Sequence, residues 1–458
     1  MNPVVPLIMA VALFMEQMDS TVISTALPAI ADDLGVGPIT LKLALTTYMV
    51  ALAIFIPVSG WAADRFGAKR VFRLAIIVFL IGSVFCAVSG NLLEFVASRF
   101  LQGMGGAMMT PVGRLVILRT TERKELVRAM ALLTIPALIG PMAGPPLGGF
   151  LTTYFSWHWI FLINVPIGLI GLVMSAIFLP EIDDEPPSKL DWKGFFLLAT
   201  AASGIVFGMS VISLPALPPA TGFIATLFGI LAAFLYVRHA VAVEKPLLNL
   251  AIFSDTSFRV ATAAATFFRM ATGAFPFLMP LMLQLGFGMS PFESGMITFV
   301  GAAGALATKF VAPRIFALLG FKNVLLTASA VVAMLTITLA FFEANTPHLI
   351  MLGILFFLGL GRSFFFTGVN ALAYADIDKS QASQATAMSA MFQQASFALG
   401  VAFAAVILEF ANHFTDGELT VAHFHIAFLV VAIVGLASVL PLLSLKADAG
   451  SEVSGHRQ

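Results

Sequence analysis

Long apolar runs, each bounded by a short polar or charged stretch, recur from one end of the chain to the other. A bilayer core of about 30 Å needs roughly 20 helical residues to cross it, and the runs have that length. They predict helices over 4–30, 40–62, 71–90, 93–118, 127–152 and 158–179. EIDDEPPSKLDWK, 181–193, is the most polar interior segment, and two further spans follow it at 194–213 and 220–238. Six more are predicted over 258–284, 292–312, 323–342, 348–372, 384–409 and 424–444. The pattern is that of an all-α polytopic membrane protein with fourteen transmembrane helices. It divides into a six-helix bundle over 1–180, a cytoplasmic linker and two additional helices over 181–250, a second six-helix bundle over 251–446 and a cytoplasmic tail over 447–458.

Composition agrees: 59% of residues are hydrophobic and only 10% are charged, with a mean hydropathy of +0.99, far from a soluble domain. The first run has no Lys or Arg before Lys42 and carries acids where a signal peptide is purely apolar, so it is read as a retained helix. Lys and Arg near helix ends fall almost entirely on one side if the N-terminus is cytoplasmic, with Lys42 the exception, so both termini are expected on the cytoplasmic side of the cell (inner or plasma) membrane. The zero net charge therefore carries no information about partners, and no nucleic-acid partner is expected. Cys86 is the sole cysteine, read as a small packing residue.

A weak internal repeat lies between the second and third helices of each six-helix block. GWAADRFGAKRVF, Gly60 to Phe72, is matched by APRIFALLGFKNVL, Ala312 to Leu325, which keeps Arg314, Gly320 and Lys322 but has Pro313 where the first copy has Asp64.

Together these residues resemble the major facilitator superfamily, and within it the fourteen-helix drug/proton antiporter branch. The loop signature is carried by Gly60, Asp64, Arg65, Gly67, Lys69 and Arg70, and the first-helix signature by Met18, Asp19, Thr21, Ala26, Leu27 and Pro28, with Met in place of the usual Leu. Arg99, Gln102 and Gly103 form the fourth-helix signature, GPMAGPPLGG (Gly140 to Gly149) the fifth, and WHWIFLINVPIG (Trp157 to Gly168) is also typical. The resemblance implies two pseudo-symmetric bundles rocking about a central site, with the seventh and eighth helices outside that pair. It also implies that the Gly60–Arg70 loop stabilises the outward-facing state.

Local chemistry leaves alternatives open. Gly140, Gly144 and Gly148, four apart, make a smooth helix face that serves as a packing surface. Pro141, Pro145 and Pro146 remove backbone donors, so the same stretch is also a candidate hinge sealed tightly against its neighbour, the role the resemblance favours. In the Gly60–Arg70 loop, Asp64 beside a basic cluster allows a charge lock, and Glu122 in the next cytoplasmic loop is a candidate partner for Arg65 or Arg70.

Charges inside membrane helices cost a few kcal/mol each on insertion scales and mark functional positions by default. Glu16 is expected near the midplane and Asp19 and Arg99 each about 10 Å below the outer edge, at one level, so that they can meet. Arg269 and Arg362 fall near the middle of the ninth and twelfth helices, which the repeat pairs with the first and fourth. In the family these helices line the cavity, so Glu16, Asp19, Arg99, Arg269 and Arg362 are expected on its walls, with Gln102 and Phe268 as further lining residues. Phe267, Phe275, Phe277 and Phe364 to Phe366 are candidates for an aromatic wall or for plain packing. Arg114 is read as snorkelling or loop-paired, and Lys309 as structural.

Burial and a neighbouring guanidinium pull a carboxylate in opposite senses, so a partly wetted Asp19 beside Arg99 is expected to gain and lose a proton in the working pH range. That predicts a secondary active transporter: a proton-coupled antiporter exporting amphiphilic small molecules by alternating access, with Glu16 as a second proton carrier or as a substrate contact. Three central arginines against two acids keep anionic and zwitterionic amphiphiles in play, and a proton-coupled symporter or facilitator for such a metabolite is the alternative. The phosphate-binding pattern G-x-x-x-x-G-K-[ST] is absent, so the energy source is expected to be the proton gradient, with no cofactor and no metal. His413, Asp416, Glu418, His423 and His425 lack a recognised ligand spacing, and no enzymatic activity is expected. A single chain suffices for the fold, and a functional monomer is expected.

Overall fold

In hydrocarbon every backbone N–H and C=O needs an internal partner, so apolar runs of this length become helices. The structure, a computed structural model, describes residues 4–121, 125–180, 189–212, 214, 217–377, 381–413, 419–446 and 449–451. The linker residues 181–188, Glu122, Asp416, Glu418, most of the tail and the side chain of His413 lie outside the described residues.

Two compact units are present. The first comprises residues 1–207, 225–236 and 290–295, and the second residues 208–224, 237–289 and 296–458. In the first unit α1 (Val4–Val22) passes through a 3-10 turn (Ile23–Thr25) into the short α2 (Leu27–Asp33). The break precedes Pro28, whose missing N–H is tolerated in the first turn of α2. There follow α3 (Lys42–Phe66), α4 (Ala68–Val88), α5 (Leu92–Thr120), α6 (Leu126–Tyr154), α7 (Trp159–Leu162) and α8 (Asn164–Phe178). The two additional helices, α9 (Trp192–Ile212) and α10 (Pro219–Ala242), are divided between the units. The second unit carries α11 (Thr256–Leu281), α12 (Pro291–Leu339), α13 (His348–Ala373), α14 (Ala382–His413), α15 (Val421–Leu436) and α16 (Val439–Leu443), the first residues of α12 excepted.

Eleven helical spans among the described residues are long and apolar enough to cross a membrane. One of them, α12, runs for 49 residues and is interrupted at Gly320, whose φ of 71° is left-handed, so it is two helices end to end. Gly67, with φ of 86°, makes the same break between α3 and α4. The two glycines occupy the repeat positions expected from the sequence, and each needs a conformation that costs residues with a Cβ about 1–2 kcal/mol.

The halves also share a packing order. In the first unit α1 packs against α5, α6 and α8, and in the second α11 packs against α13, α14 and α15. In both, the first helix of the block is flanked by three others, which is why polar residues on it become buried.

Candidate functional site

The centre of the first unit holds a closed polar cluster drawn from α1, α4, α5 and α8. Asp19 Oδ2 accepts from the Arg99 guanidinium at 2.7 Å, and neither side chain is exposed. Asp19 Oδ1 accepts from the amide groups of Gln102 and Asn164, each at 2.8 Å. Both amides also donate to Ser83 Oγ, at 3.2 Å and 3.0 Å, and the Ser83 hydroxyl donates to the backbone carbonyl of Phe161 at 3.0 Å. The guanidinium of Arg99 further donates to Gln102 Oε1 and lies 4.2 Å above the ring of Tyr48. The oxygens of Asp19 are satisfied, whereas Arg99 donates through one nitrogen only and its buried Nε and Nη2 have no hydrogen-bond partner, so the desolvation cost of the ion pair is only partly offset.

The sequence expectation that Asp19 and Arg99 sit level and meet is met by this geometry. The expectation of a partly wetted Asp19 is corrected, because three neighbouring helices close over it. Gln102 is likewise fully buried, within this cluster rather than on a cavity wall. Asn164, Ser83 and Tyr48 went unassigned in the sequence. A lone amide within the apolar run WIFLINVPIG was the available sign for Asn164, whereas Ser83 offers none.

Glu16, one helical turn before Asp19, also faces α5: its Oε2 accepts from Thr110 Oγ1 at 2.6 Å and it is 3% exposed. Gly106 makes room there, since a Cβ would sit 3.2 Å from the Tyr48 hydroxyl and 3.4 Å from Glu16 Cγ. Arg114 is exposed.

The glycine face of α6 lies directly on α1. A Cβ on Gly140 would come within 2.9 Å of the Phe14 carbonyl, one on Gly144 would strike Thr21, and one on Gly148 would strike the carbonyl of Val22. Thr25 Oγ1 donates to the carbonyl of Pro145 at 3.4 Å, while Pro141 and Pro145 are partly buried. The stretch is thus a close-packed helix face, its proline-containing backbone tied to the broken end of α1.

In the last turn of α3, Asp64 pairs with Arg119, at the end of α5, at 2.8 Å. Arg65 and Arg70 are exposed, and Gly60 has open space where a Cβ would be. The anticipated charge lock therefore runs to α5, because the last turn of that helix brings a guanidinium beside Asp64.

In the second unit Arg269 on α11 is 3% exposed and donates to Asn370 Oδ1 on α13 at 3.0 Å. Arg362 on α13 lies over the ring of Phe275 at 4.1 Å. Phe268, expected to line a cavity, is 1% exposed and stacks on Phe365 with centroids 3.7 Å apart, so it is packing between α11 and α13. Phe277 is buried and Phe267 exposed. Lys309 Nζ donates to Thr367. His423 caps α15 by accepting from the Thr420 N–H, and His425 bonds the Phe342 carbonyl. No cluster of metal-ligating side chains occurs among the described residues.

The family model described as the Major Facilitator Superfamily matches residues 9–254 and 261–457. The chain belongs to the major facilitator superfamily. It is 35% identical over 454 residues to MdtD of Serratia proteamaculans, which carries a provisional name as a multidrug resistance protein, with 96% of this chain and 93% of the relative covered. It is 35% identical over 445 residues to HsrA of Haemophilus influenzae, provisionally named a transport protein, with 97% and 96% covered. Among solved structures, a D-xylose-proton symporter aligns with TM-score 0.70 at 14% identity over 98% of both chains, and a POT family peptide transporter with 0.71 at 15% over 97% of both. This member of the superfamily is an integral membrane transporter and not an enzyme.

Proposed function

We propose that this transporter is a proton-coupled antiporter that exports amphiphilic small molecules by alternating access, with Asp19 as its proton carrier and Arg99 as the charge that senses it. The observation that carries this reading is the buried Asp19–Arg99 pair held by two amides. Ionised Asp19 accepts N–H groups from Arg99, Gln102 and Asn164. Protonated Asp19 has a hydroxyl to donate, and an amide that turns over presents a carbonyl oxygen in place of its NH₂. Asn164 Oδ1 is buried with no partner in the present arrangement, so it is the nearest ready acceptor. Protonation thereby frees Arg99 and rearranges the contacts between α1, α5 and α8. For coupling, proton and substrate must each bind the two transport states with different affinity.

The same reading takes Glu16 as a second polar contact on α1, the α6 glycine face as the joint about which α1 turns, and the Asp64–Arg119 pair as a cytoplasmic latch. It takes the membrane as crossed fourteen times. α5, α6 and the second half of α12 add three spans to the eleven, and both termini lie on the cytoplasmic side of the cell membrane. The proton gradient supplies the energy without a cofactor, and one chain suffices. The relatives named for multidrug resistance support export.

A proton-coupled symporter or facilitator for an anionic or zwitterionic metabolite is the second reading, favoured by the arginines of the second unit. Proteoliposome transport under an imposed pH gradient, across cationic, anionic and zwitterionic amphiphiles, separates the two. Substrate movement against the proton flux, lost in Asp19→Asn, is the expected result; movement with the proton flux, or undiminished transport in Asp19→Asn, rejects the antiport assignment.

A further inference from the structure

We propose that Arg269 and Arg362 bind an oxyanion, a carboxylate, sulfonate or phosphate, carried by an amphiphilic molecule. This deepens the proposed function by naming a substrate class, and it rests on the reading that the chain carries amphiphiles. α11 and α13 occupy in the second unit the places of α1 and α5 in the first. In the first unit these places hold an acid and an arginine, and the two neutralise each other. In the second unit both hold arginines, and among the described residues no carboxylate pairs with either. The buried Nε of Arg269 and that of Arg362 have no acceptor. Asn370 takes one N–H of Arg269, and the Phe275 face offers Arg362 no acceptor at all. A guanidinium has five donors and keeps its proton, so neither group can escape by neutralising itself. Arg269 is buried and Arg362 half-buried, and without a counter-charge the desolvation of each guanidinium is left uncompensated.

Recognition of an oxyanion offsets that cost, because the planar fork of Arg matches two carboxylate, sulfonate or phosphate oxygens. Asn370 is exposed, so an anion can take its place on Arg269, exchanging a neutral acceptor for a charged one. Arg269 lies beside Asn370, and Phe275 beside Arg362, so the helices run antiparallel and the two contact positions on α11 are six residues apart, a backbone rise of about 9 Å. Phe365 and the half-buried Phe366 lie between Arg362 and Asn370 along α13, and Phe365 stacks on Phe268 of α11. The arrangement fits a molecule with an apolar body, an oxyanion at one end and a second polar acceptor at the other.

The test is equilibrium binding of radiolabelled taurocholate and of tetraphenylphosphonium to the full chain in phosphatidylcholine nanodiscs, without a pH gradient. Arg269→Gln and Arg362→Gln are each expected to weaken taurocholate binding about tenfold, the loss of one charge-assisted hydrogen bond, while leaving tetraphenylphosphonium binding intact. Arg362→Lys is expected to recover part of the loss. Binding is read without a pH gradient, so loss of taurocholate binding reports on this site, whereas a defect confined to pH-driven transport reports on proton coupling. Taurocholate-free Arg362→Gln is expected to unfold no earlier than wild type, whereas an arginine kept only for packing gives a less stable variant. Repeating the assay with phosphatidylglycerol in the discs identifies the source of the oxyanion. Competition abolished in Arg269→Gln/Arg362→Gln assigns it to a lipid headgroup, and resistance assigns it to the soluble amphiphile; both support the site. Equal taurocholate binding by wild type and the double variant, or none by wild type above empty discs, overturns it.

Discussion

Asp19 and Arg99 meet at 2.7 Å with no exposure of either side chain, and each is the other's only charge neutraliser in the cluster. Removing one partner leaves a buried charge unopposed, which costs about 3–5 kcal/mol. Asp19→Asn and Arg99→Gln are therefore each expected to lower thermal stability in detergent by that order, and the double variant to regain most of the loss. Melting curves arranged as a double-mutant cycle measure the coupling; additive losses contradict a paired role.

Asn164 links Asp19 to Ser83, and its replacement leaves one lone pair of a buried carboxylate and one of a hydroxyl without their donor. Asn164→Ala is expected to cost about 1–3 kcal/mol and to slow pH-driven transport more than it weakens substrate binding. Ser83→Ala loses the bond to the Phe161 carbonyl and the acceptor for one N–H each of Gln102 and Asn164, and is likewise expected to cost about 1–3 kcal/mol. Stability measurement alongside transport rates in proteoliposomes checks both.

Four signature glycines are predicted to differ. A Cβ at Gly144 meets Thr21 and at Gly148 the backbone of α1, so alanine at either is expected to cost about 1–3 kcal/mol and to impair transport. Alanine at Gly67 imposes a left-handed φ, worth about 1–2 kcal/mol. Gly60 faces open space, and Gly60→Ala is expected to be near neutral in stability. Thermal denaturation of the four variants gives the ranking.

Asp64 and Arg119 are partly exposed, so their pair is expected to contribute no more than about 1 kcal/mol to stability and to weaken with salt. Its effect is expected in transport rate. Asp64→Asn and Arg119→Gln slow transport alike, and the exchange Asp64→Arg/Arg119→Asp restores part of it. A larger defect in Arg65→Gln than in Arg119→Gln counts against the latch.

The all-helical, many-span architecture was legible because crossing a bilayer demands runs of fixed length, with eleven candidate spans among the described residues against the fourteen expected, and the level meeting of Asp19 and Arg99 followed from counting 1.5 Å per residue inward from the predicted helix ends. Dryness was not legible. Whether a carboxylate meets water depends on which helices close over it, and Ser83 on α4 and Asn164 on α8 are remote in sequence from Asp19. For the same reason Phe268 read as a wall residue and proved to be packing: an aromatic run looks alike in either role. The partner of Asp64 was hidden because the end of α5, not the adjacent loop, delivers the cation. Glu16, Asp19 and Arg99 lie in one unit and Arg269 and Arg362 in the other, in keeping with the helices on which the sequence placed them.

The central claim is that Asp19 exchanges a proton with solution during transport. Infrared difference spectroscopy of the protein in lipid, between acidic and alkaline buffer, reads that event directly as the carbonyl stretch of a protonated carboxyl. The account predicts a band that appears on acidification, is lost in Asp19→Asn and is shifted in Asn164→Ala. A difference spectrum identical in wild type and Asp19→Asn contradicts it.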